Sequence, residues 1–259
     1  MDWLKVLALA VVQGVTEFLP VSSSGHLVVG KHLLGLDSPG LRFEIVLHAG
    51  TLVAVCAYFR KRLWSLALGL LKREPAAWKM AGCLALATLP AVLMYKLVLK
   101  PHMGTIETPA AAACGLLVTG ILLLTLHRLK DGGEGMTWRR ALLMGIAQAV
   151  AVLPGVSRSG TTVALGRHSG LAREAAGEFA MLMSIPVILG SLVLDLAGGE
   201  FGSAGGVTPA MYALGVLVSA TVGFAAVAVF MRVLKSGRFW MFGVYCLAAG
   251  CVALVFIKP

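Results

Sequence analysis

Residues 17–26 read EFLPVSSSGH. They close an apolar run, 4–19, that stops at Pro20, and the polar ending is unusual for a membrane-like segment. A near copy, VSRSGT, stands at 156–161 behind a second apolar run, 141–153, that stops at Pro154. Both runs are shorter than the roughly 20 apolar residues that cross a bilayer, which suits segments that dip in and turn back. Non-helical backbone at that depth survives only where protein covers it or a wet cavity faces it.

Outward from these clusters the chain is strongly apolar. Of 259 residues, 58% are hydrophobic and 13% charged, about half the charge fraction of a soluble domain. The mean hydropathy is +0.88. Six segments qualify as full spans: 44–60, 81–99, 110–127, 179–197, 209–231 and 239–257. The expectation is an all-α, multi-pass membrane protein of six transmembrane helices and two re-entrant helical hairpins. The net charge of +10 belongs to loops on the cytoplasmic face, and no basic soluble segment exists to bind nucleic acid. The five cysteines lie in apolar segments without metal or disulfide spacing, so they read as small buried hydrophobes. The first apolar run lacks a small-residue cleavage site and reads as mature sequence.

The order is one short run and three spans, twice. At a shift of 135, Gln13 falls on Gln148, Val21–His26 on Val156–Thr161, and Gly35-Leu36 on Gly170-Leu171, while Pro20 and Pro154 are out of step by one. Two repeats follow, 1–130 and 131–259. An odd number of spans per repeat makes the second enter from the opposite face, an inverted-topology repeat whose two tips meet near the midplane. Lys and Arg gather in 60–80, 128–140 and 232–238, against Lys5, Lys31, Arg42, Lys96, Lys100 and Lys258 on the other side, with none at 198–208. That bias places both termini outside the cytoplasm.

Charges at bilayer depth are costly, so Glu17 and Arg158 are expected to be partnered or functional. Gln13 lies one helical turn before Glu17. Ser22, Ser23, Ser24 and Gly25 follow the first proline; Ser157, Ser159, Gly160, Thr161 and Thr162 surround Arg158. Hydroxyls, backbone N–H groups and a helix start suit an anion, and the guanidinium fork suits phosphate. Glu17 would repel a phosphate unless a divalent cation, Mg²⁺ or Ca²⁺, stands between them. His26 adds a group that can move a proton or attack phosphorus. Together these residues make a phosphoryl-transfer set. Glu44 and His48, four apart at the start of a span, could flank the site, and an interfacial or packing role is the favoured reading. Asp195 reads as reaching the interface, and His32, His102, His127 and His168 as solvated.

QGVTEFLPVSSSGH (13–26) and PGVSRSGTT (154–162) closely resemble the two signature motifs of the undecaprenyl-diphosphate phosphatase family, linked to bacitracin resistance. FEIVLHAGTLVAV (43–55) looks like the family's next span. The resemblance implies hydrolysis of undecaprenyl diphosphate to the monophosphate carrier lipid and phosphate, recycling the carrier for cell-wall synthesis in the bacterial inner membrane. It implies dependence on Mg²⁺ or Ca²⁺. It assigns Glu17, Ser23 and His26 from the first motif and Ser157, Arg158 and Thr162 from the second. Gln13 stands at the family's variable Glu/Gln position, which removes a possible second carboxylate. The catalytic set is thus Glu17, His26, Ser23 and Arg158, with Glu17 as metal ligand and the other named hydroxyl, glycine and amide residues on the substrate. The nucleophile stays open between His26, Ser23 and an activated water. The partner is a polyprenyl diphosphate lipid, and a homo-oligomer is compatible with this reading. The competing class is a transporter or flippase for a polyprenyl phosphate or other anion, since inverted repeats with broken helices serve transport too.

Overall fold

The computed structural model describes residues 3–34, 40–99, 106, 108–197 and 208–256, and leaves out the side chains of 29–45, 99 and 194–197. Gly35, Leu36, Lys100, His102, Lys258 and the segment 198–207 therefore lie outside the described residues, as do the side chains of Lys31, His32, Arg42, Glu44 and Asp195.

The helices are α1 (Trp3–Phe18), α2 (Ser23–Leu34), α3 (Gly40–Tyr58), α4 (Arg60–Leu71), α5 (Pro75–Met94), α6 (Pro109–Leu124), α7 (Trp138–Val150), α8 (Arg158–His168), α9 (Arg173–Ala197), α10 (Pro209–Lys235) and α11 (Met241–Phe256). A π-helical turn, Tyr95–Leu99, extends α5, and a 3₁₀ turn, Thr125–Arg128, extends α6. Among the described residues the only β feature is an isolated bridge between Glu134 and Leu171. Proline opens α5, α6 and α10, where its missing N–H would lack a helical partner anyway. Thr108, Thr137 and Thr208 cap α6, α7 and α10 through their hydroxyls, each satisfying one orphan N–H.

Among the described residues, four helices are long and apolar enough to cross a membrane: Pro75–Val98, Pro109–Arg128, Arg173–Val193 and Pro209–Lys235. Val46–Tyr58 and Met241–Phe256 are shorter apolar helices. Residues 239 and 240, read as the start of a span, instead belong to a turn that follows Gly237 at φ 76°. Many large apolar side chains face outward, Leu4, Leu97 and Val255 among them. In water such a surface would aggregate; in lipid it is the solvent-facing surface of a multi-pass membrane protein.

The short runs behave as their prolines suggest. α1 ends at Phe18 and the chain restarts as α2 at Ser23; α7 ends at Val150 and restarts as α8 at Arg158. α1 packs along α3 and α10, and α7 packs along α5. The core between these layers contains Phe18, Met144, Phe179, Met181, Met183 and Phe230.

One end of the bundle is tied by ions. Arg62 meets Glu178 at 2.6 Å, Lys235 meets Glu174 at 2.6 Å, and Arg167 holds Asp131 at 2.8 Å and donates to Lys130 O. The basic segments 60–80, 128–140 and 232–238, the first largely helical as α4, meet around the start of α9, where Arg173 N also donates to Asp131 Oδ1 at 2.9 Å.

Candidate active site

Each polar cluster is the cap of the helix that follows it. Ser22 Oγ accepts from Gly25 N at 3.2 Å, and Ser157 Oγ accepts from Gly160 N at 3.2 Å. Each capping oxygen also lies 3.3 Å from the hydroxyl two residues on, Ser24 or Ser159. The two turns face each other. A Cβ on Gly25 would stand 2.9 Å from Gly155 Cα, and one on Gly160 would stand 3.3 Å from Pro20 Cβ. Gly155 itself holds φ 82° and lies against the Ala112 carbonyl, where a side chain would clash. No other residue type serves there.

A cavity of about 240 Å³ opens where the turns meet, lined by Glu17, Ser22, Ser23, Ser24, Ser157 and Arg158 together with Thr16, His48, Gln148 and Ser191. Glu17 is its hub. One carboxylate oxygen accepts from Gln13 Nε2 at 2.9 Å and from Ser23 Oγ at 3.1 Å. The other accepts from Arg158 Nη2 of the opposite hairpin. The side chains of Glu17 and Arg158 are 6% and 17% exposed, so this is a buried, charge-assisted pair. Arg158 spends one donor here and has four more N–H groups for a phosphate.

Of the residues expected from sequence, the cavity brings together Glu17, Ser22, Ser23, Ser24, Ser157 and Arg158. The other assigned residues lie behind this lining. Gln13 is fully buried behind Glu17. Thr161 and Thr162 donate to the carbonyls of Ser157 and Arg158 at 2.8 and 2.7 Å, which commits their hydroxyl protons to the first turn of α8. Ser159, Gly25 and Gly160 shape the two turns. His26 is not among the residues lining the cavity. Its Nδ1 lies 2.8 Å from Ser22 O, its Nε2 lies 2.7 Å from Tyr245 Oη, and its ring stacks on Tyr245. The carbonyl only accepts, so Nδ1 carries the proton and Tyr245 donates to Nε2. The reason is helical geometry: residue 26 lies one turn after Ser22 and faces α11.

His48 takes the less favoured of its two sequence readings: it lines the cavity, with Nδ1 3.1 Å from Gln13 Nε2 and 3.5 Å from Glu17. Gln148 was visible only as a repeat match, yet it lines the cavity, and its Oε1 is buried with no hydrogen-bond partner. Tyr245 carried no sequence signal. His48 could have been found from its position four residues after Glu44 on one helical face, but Glu44's side chain lies outside the described residues.

The donor set also bears on a metal. Among the described residues no group of three or more His, Cys, Asp or Glu could hold one. A hard cation that keeps water and substrate phosphate in its shell needs only one or two carboxylates. Glu17, the serine hydroxyls and the orphaned Gln148 oxygen fit that kind of site.

The family model described as bacitracin resistance protein BacA matches residues 6–252. The chain belongs to that family. It is 38% identical over 260 residues to the undecaprenyl-diphosphatase of Rhodopirellula baltica, covering 98% of both chains. It is 36% identical over 274 residues to the undecaprenyl-diphosphatase of Desulfatibacillum aliphaticivorans, covering 98% of this chain and 99% of the other. The undecaprenyl-diphosphatase of Desulforapulum autotrophicum is similar at 36% over 273 residues. The matched span of the family includes both hairpins and the whole lining of the cavity.

Proposed function

We propose that this protein hydrolyses undecaprenyl diphosphate to undecaprenyl phosphate and inorganic phosphate in the bacterial inner membrane. One observation carries the reading: Glu17 of one hairpin and Arg158 of the other meet in a serine-lined cavity. Relatives that match almost the full chain bear that enzyme's name. A carrier of anions has use for Arg158 but little for a buried carboxylate that accepts from a serine hydroxyl.

The Ser23–Glu17 hydrogen bond is the arrangement of a nucleophile and its base. In this mechanism the Ser23 oxygen attacks the terminal phosphorus while its proton passes to Glu17. The bond from that phosphorus to the bridging oxygen breaks, and undecaprenyl phosphate leaves. Water then cleaves the phosphoserine, giving inorganic phosphate and restoring the Ser23 hydroxyl, and the proton taken by Glu17 leaves to solvent, which restores the carboxylate. Arg158 holds phosphate oxygens through its remaining donors, and the N-terminal amides of α2 and α8 add partial positive charge. His48 and Gln13 hold Glu17 in place. His26 acts behind the cavity by fixing the Ser22 turn. A divalent cation, Mg²⁺ or Ca²⁺, would be held by Glu17 with the Gln148 oxygen and serine hydroxyls, and it would neutralise phosphate charge.

The test is phosphate release from a C55 prenyl diphosphate by purified protein, with and without chelator, followed by acid quench with terminal-phosphate-labelled substrate. Labelled Ser23 is expected in the quenched protein. Phosphate release without any labelled protein, at times shorter than one turnover, would replace Ser23 with an activated water.

The proposed topology is six spans and two re-entrant hairpins in inverted repeats, 1–130 and 131–259, with both termini external. The equal bonding of the two turns at a shift of 135 supports it. Single cysteines at 131–135 and at 200–204, in a cysteine-free background, should label from the cytoplasmic and external sides respectively. Labelling from one side would refute the inverted arrangement.

A further inference from the structure

Gln13 and Gln148 hold matching positions in the two hairpins, and their amides do different work. Gln13 Nε2 donates to Glu17, one turn on, at 2.9 Å. At that place Gln148 has Val152, whose side chain offers no polar atom. Gln148 Nε2 instead donates to Ala87 O of α5 at 3.3 Å. Gly145 lets α7 come this close, since a Cβ there would stand 2.7 Å from the same oxygen. A carbonyl only accepts, so the amide nitrogen must face Ala87 and the amide has one orientation.

That orientation commits the nitrogen and leaves the oxygen. Gln148 is 1% exposed and lines the cavity with Glu17, Ser23 and Arg158. Its Oε1 is buried and has no hydrogen-bond partner among the described residues. A buried acceptor is unfavourable until something donates to it. The Gln13 oxygen is also unpartnered, but Gln13 is not among the residues lining the cavity. The cavity therefore holds an acceptor that phosphate oxygens, acceptors themselves, cannot satisfy. Water can, and a water that donates one hydrogen keeps a lone pair for phosphorus. A neutral amide orients that water without the repulsion a second carboxylate would bring to a phosphate. The amide oxygen has two lone pairs, so contact with a cation still leaves one for the water.

We propose that Gln148 is a catalytic residue of the second half-reaction, whose Oε1 accepts from the water that cleaves the Ser23 phosphoserine and aims it at phosphorus. This rests on the phosphatase reading with Ser23 as nucleophile. In-line displacement brings the water from the side away from Ser23 Oγ; Ser23 belongs to the first hairpin and Gln148 to the second. The water oxygen bonds to phosphorus, and the bond from phosphorus to Ser23 Oγ breaks. One water proton ends on Ser23 Oγ and the other stays on inorganic phosphate. Gln148 gains and loses none.

The test separates the half-reactions. Wild type and Gln148→Met, which keeps the side-chain length and drops the oxygen, are mixed with terminal-phosphate-labelled undecaprenyl diphosphate, chased with unlabelled substrate and quenched in acid. In Gln148→Met the label on Ser23 should form at the wild-type rate and decay about a hundredfold more slowly, the loss expected when a reactant is no longer oriented. Slowed formation would make Gln148 a substrate or packing residue and overturn the proposal; unchanged decay would overturn it too. Gln148→Asn holds the same oxygen one carbon short, and its decay should lie between the other two. It decides the matter if the methionine variant does not fold, and wild-type decay in it would then overturn the proposal. Wild type that releases phosphate without carrying label would remove the Ser23 step and this role with it. Wild type that releases no phosphate would sink the phosphatase reading itself.

Discussion

The turn at 19–25 and the turn at 154–160 share their hydrogen bonds and differ in their chemistry. In both, a serine caps the next helix at 3.2 Å and contacts a second serine at 3.3 Å. The residue after the cap is Ser23 in one and Arg158 in the other, and both side chains reach Glu17. Position 152, the counterpart of Glu17, is a valine. Two turns with the same serine hydrogen bonds, though Ser22 holds φ 64° and Ser157 φ −77°, thus build one asymmetric site, with the acid on one hairpin and the cation on the other. Each turn is also held from outside its own hairpin. Thr119 of α6 accepts from Ser157 N at 2.9 Å and donates to Gly155 O at 3.2 Å, while Cys246 of α11 donates to Pro20 O at 3.3 Å. The frame is duplicated; the reactive groups are not.

The largest effect should come from removing the single acid. Glu17→Gln keeps the shape and should lower kcat by about 10²–10⁴, the usual range for a lost general base. Phosphate release from undecaprenyl diphosphate measures it, and near-normal turnover would make Glu17 structural.

Removing the cation on the other hairpin comes next. Arg158→Ala should cost about 10²–10³ in kcat/KM, as loss of a transition-state donor does. Arg158→Lys should recover little, because a point charge cannot make the two-oxygen contact. Full rescue by Lys would reduce Arg158 to a charge.

The buried pair also predicts a stability pattern. Breaking one partner of such a pair costs about 3–5 kcal/mol, whereas neutralising both costs less. Glu17→Gln/Arg158→Gln should therefore unfold at higher denaturant than either single change. Equal additive losses would mean that the two hairpins do not depend on this contact.

The smallest effect tests the sameness of the frames. Ser22→Ala and Ser157→Ala should each cost about 1 kcal/mol, the worth of a helix cap. Ser22 sits at φ 64°, so Ser22→Gly should cost less than Ser22→Ala, since glycine takes that conformation without strain. A large inequality between the two alanine variants would show that one turn is held mainly by its neighbours.

The apolar runs and the prolines that end them were legible in the chain because each depends on residues a few positions apart; that Ser22 and Ser157 cap the helices after them was not read there. The meeting of Glu17 with Arg158 was legible as far as the repeat argument brought the two tips together. Between the two roles open to His48 the sequence could not choose, because the answer depends on where α3 packs against α1. Thr161 and Thr162 looked like phosphate ligands by composition, yet their hydroxyls bond carbonyls one turn back, the local competition that polar side chains offer in a first helical turn. His26 looked catalytic beside Ser23, yet the turn of α2 carries it to Tyr245 on a helix 219 residues away.

The sequence by itself determined the membrane class, the broken helices and the chemical kinds of residue available, since hydropathy, proline and capping act locally. Only the tertiary structure decided which of those residues share a cavity and that α3 and α10 close on each other. Those outcomes depend on the packing of segments far apart in the chain, as where Gly50 of α3 lies against the Val216 carbonyl of α10.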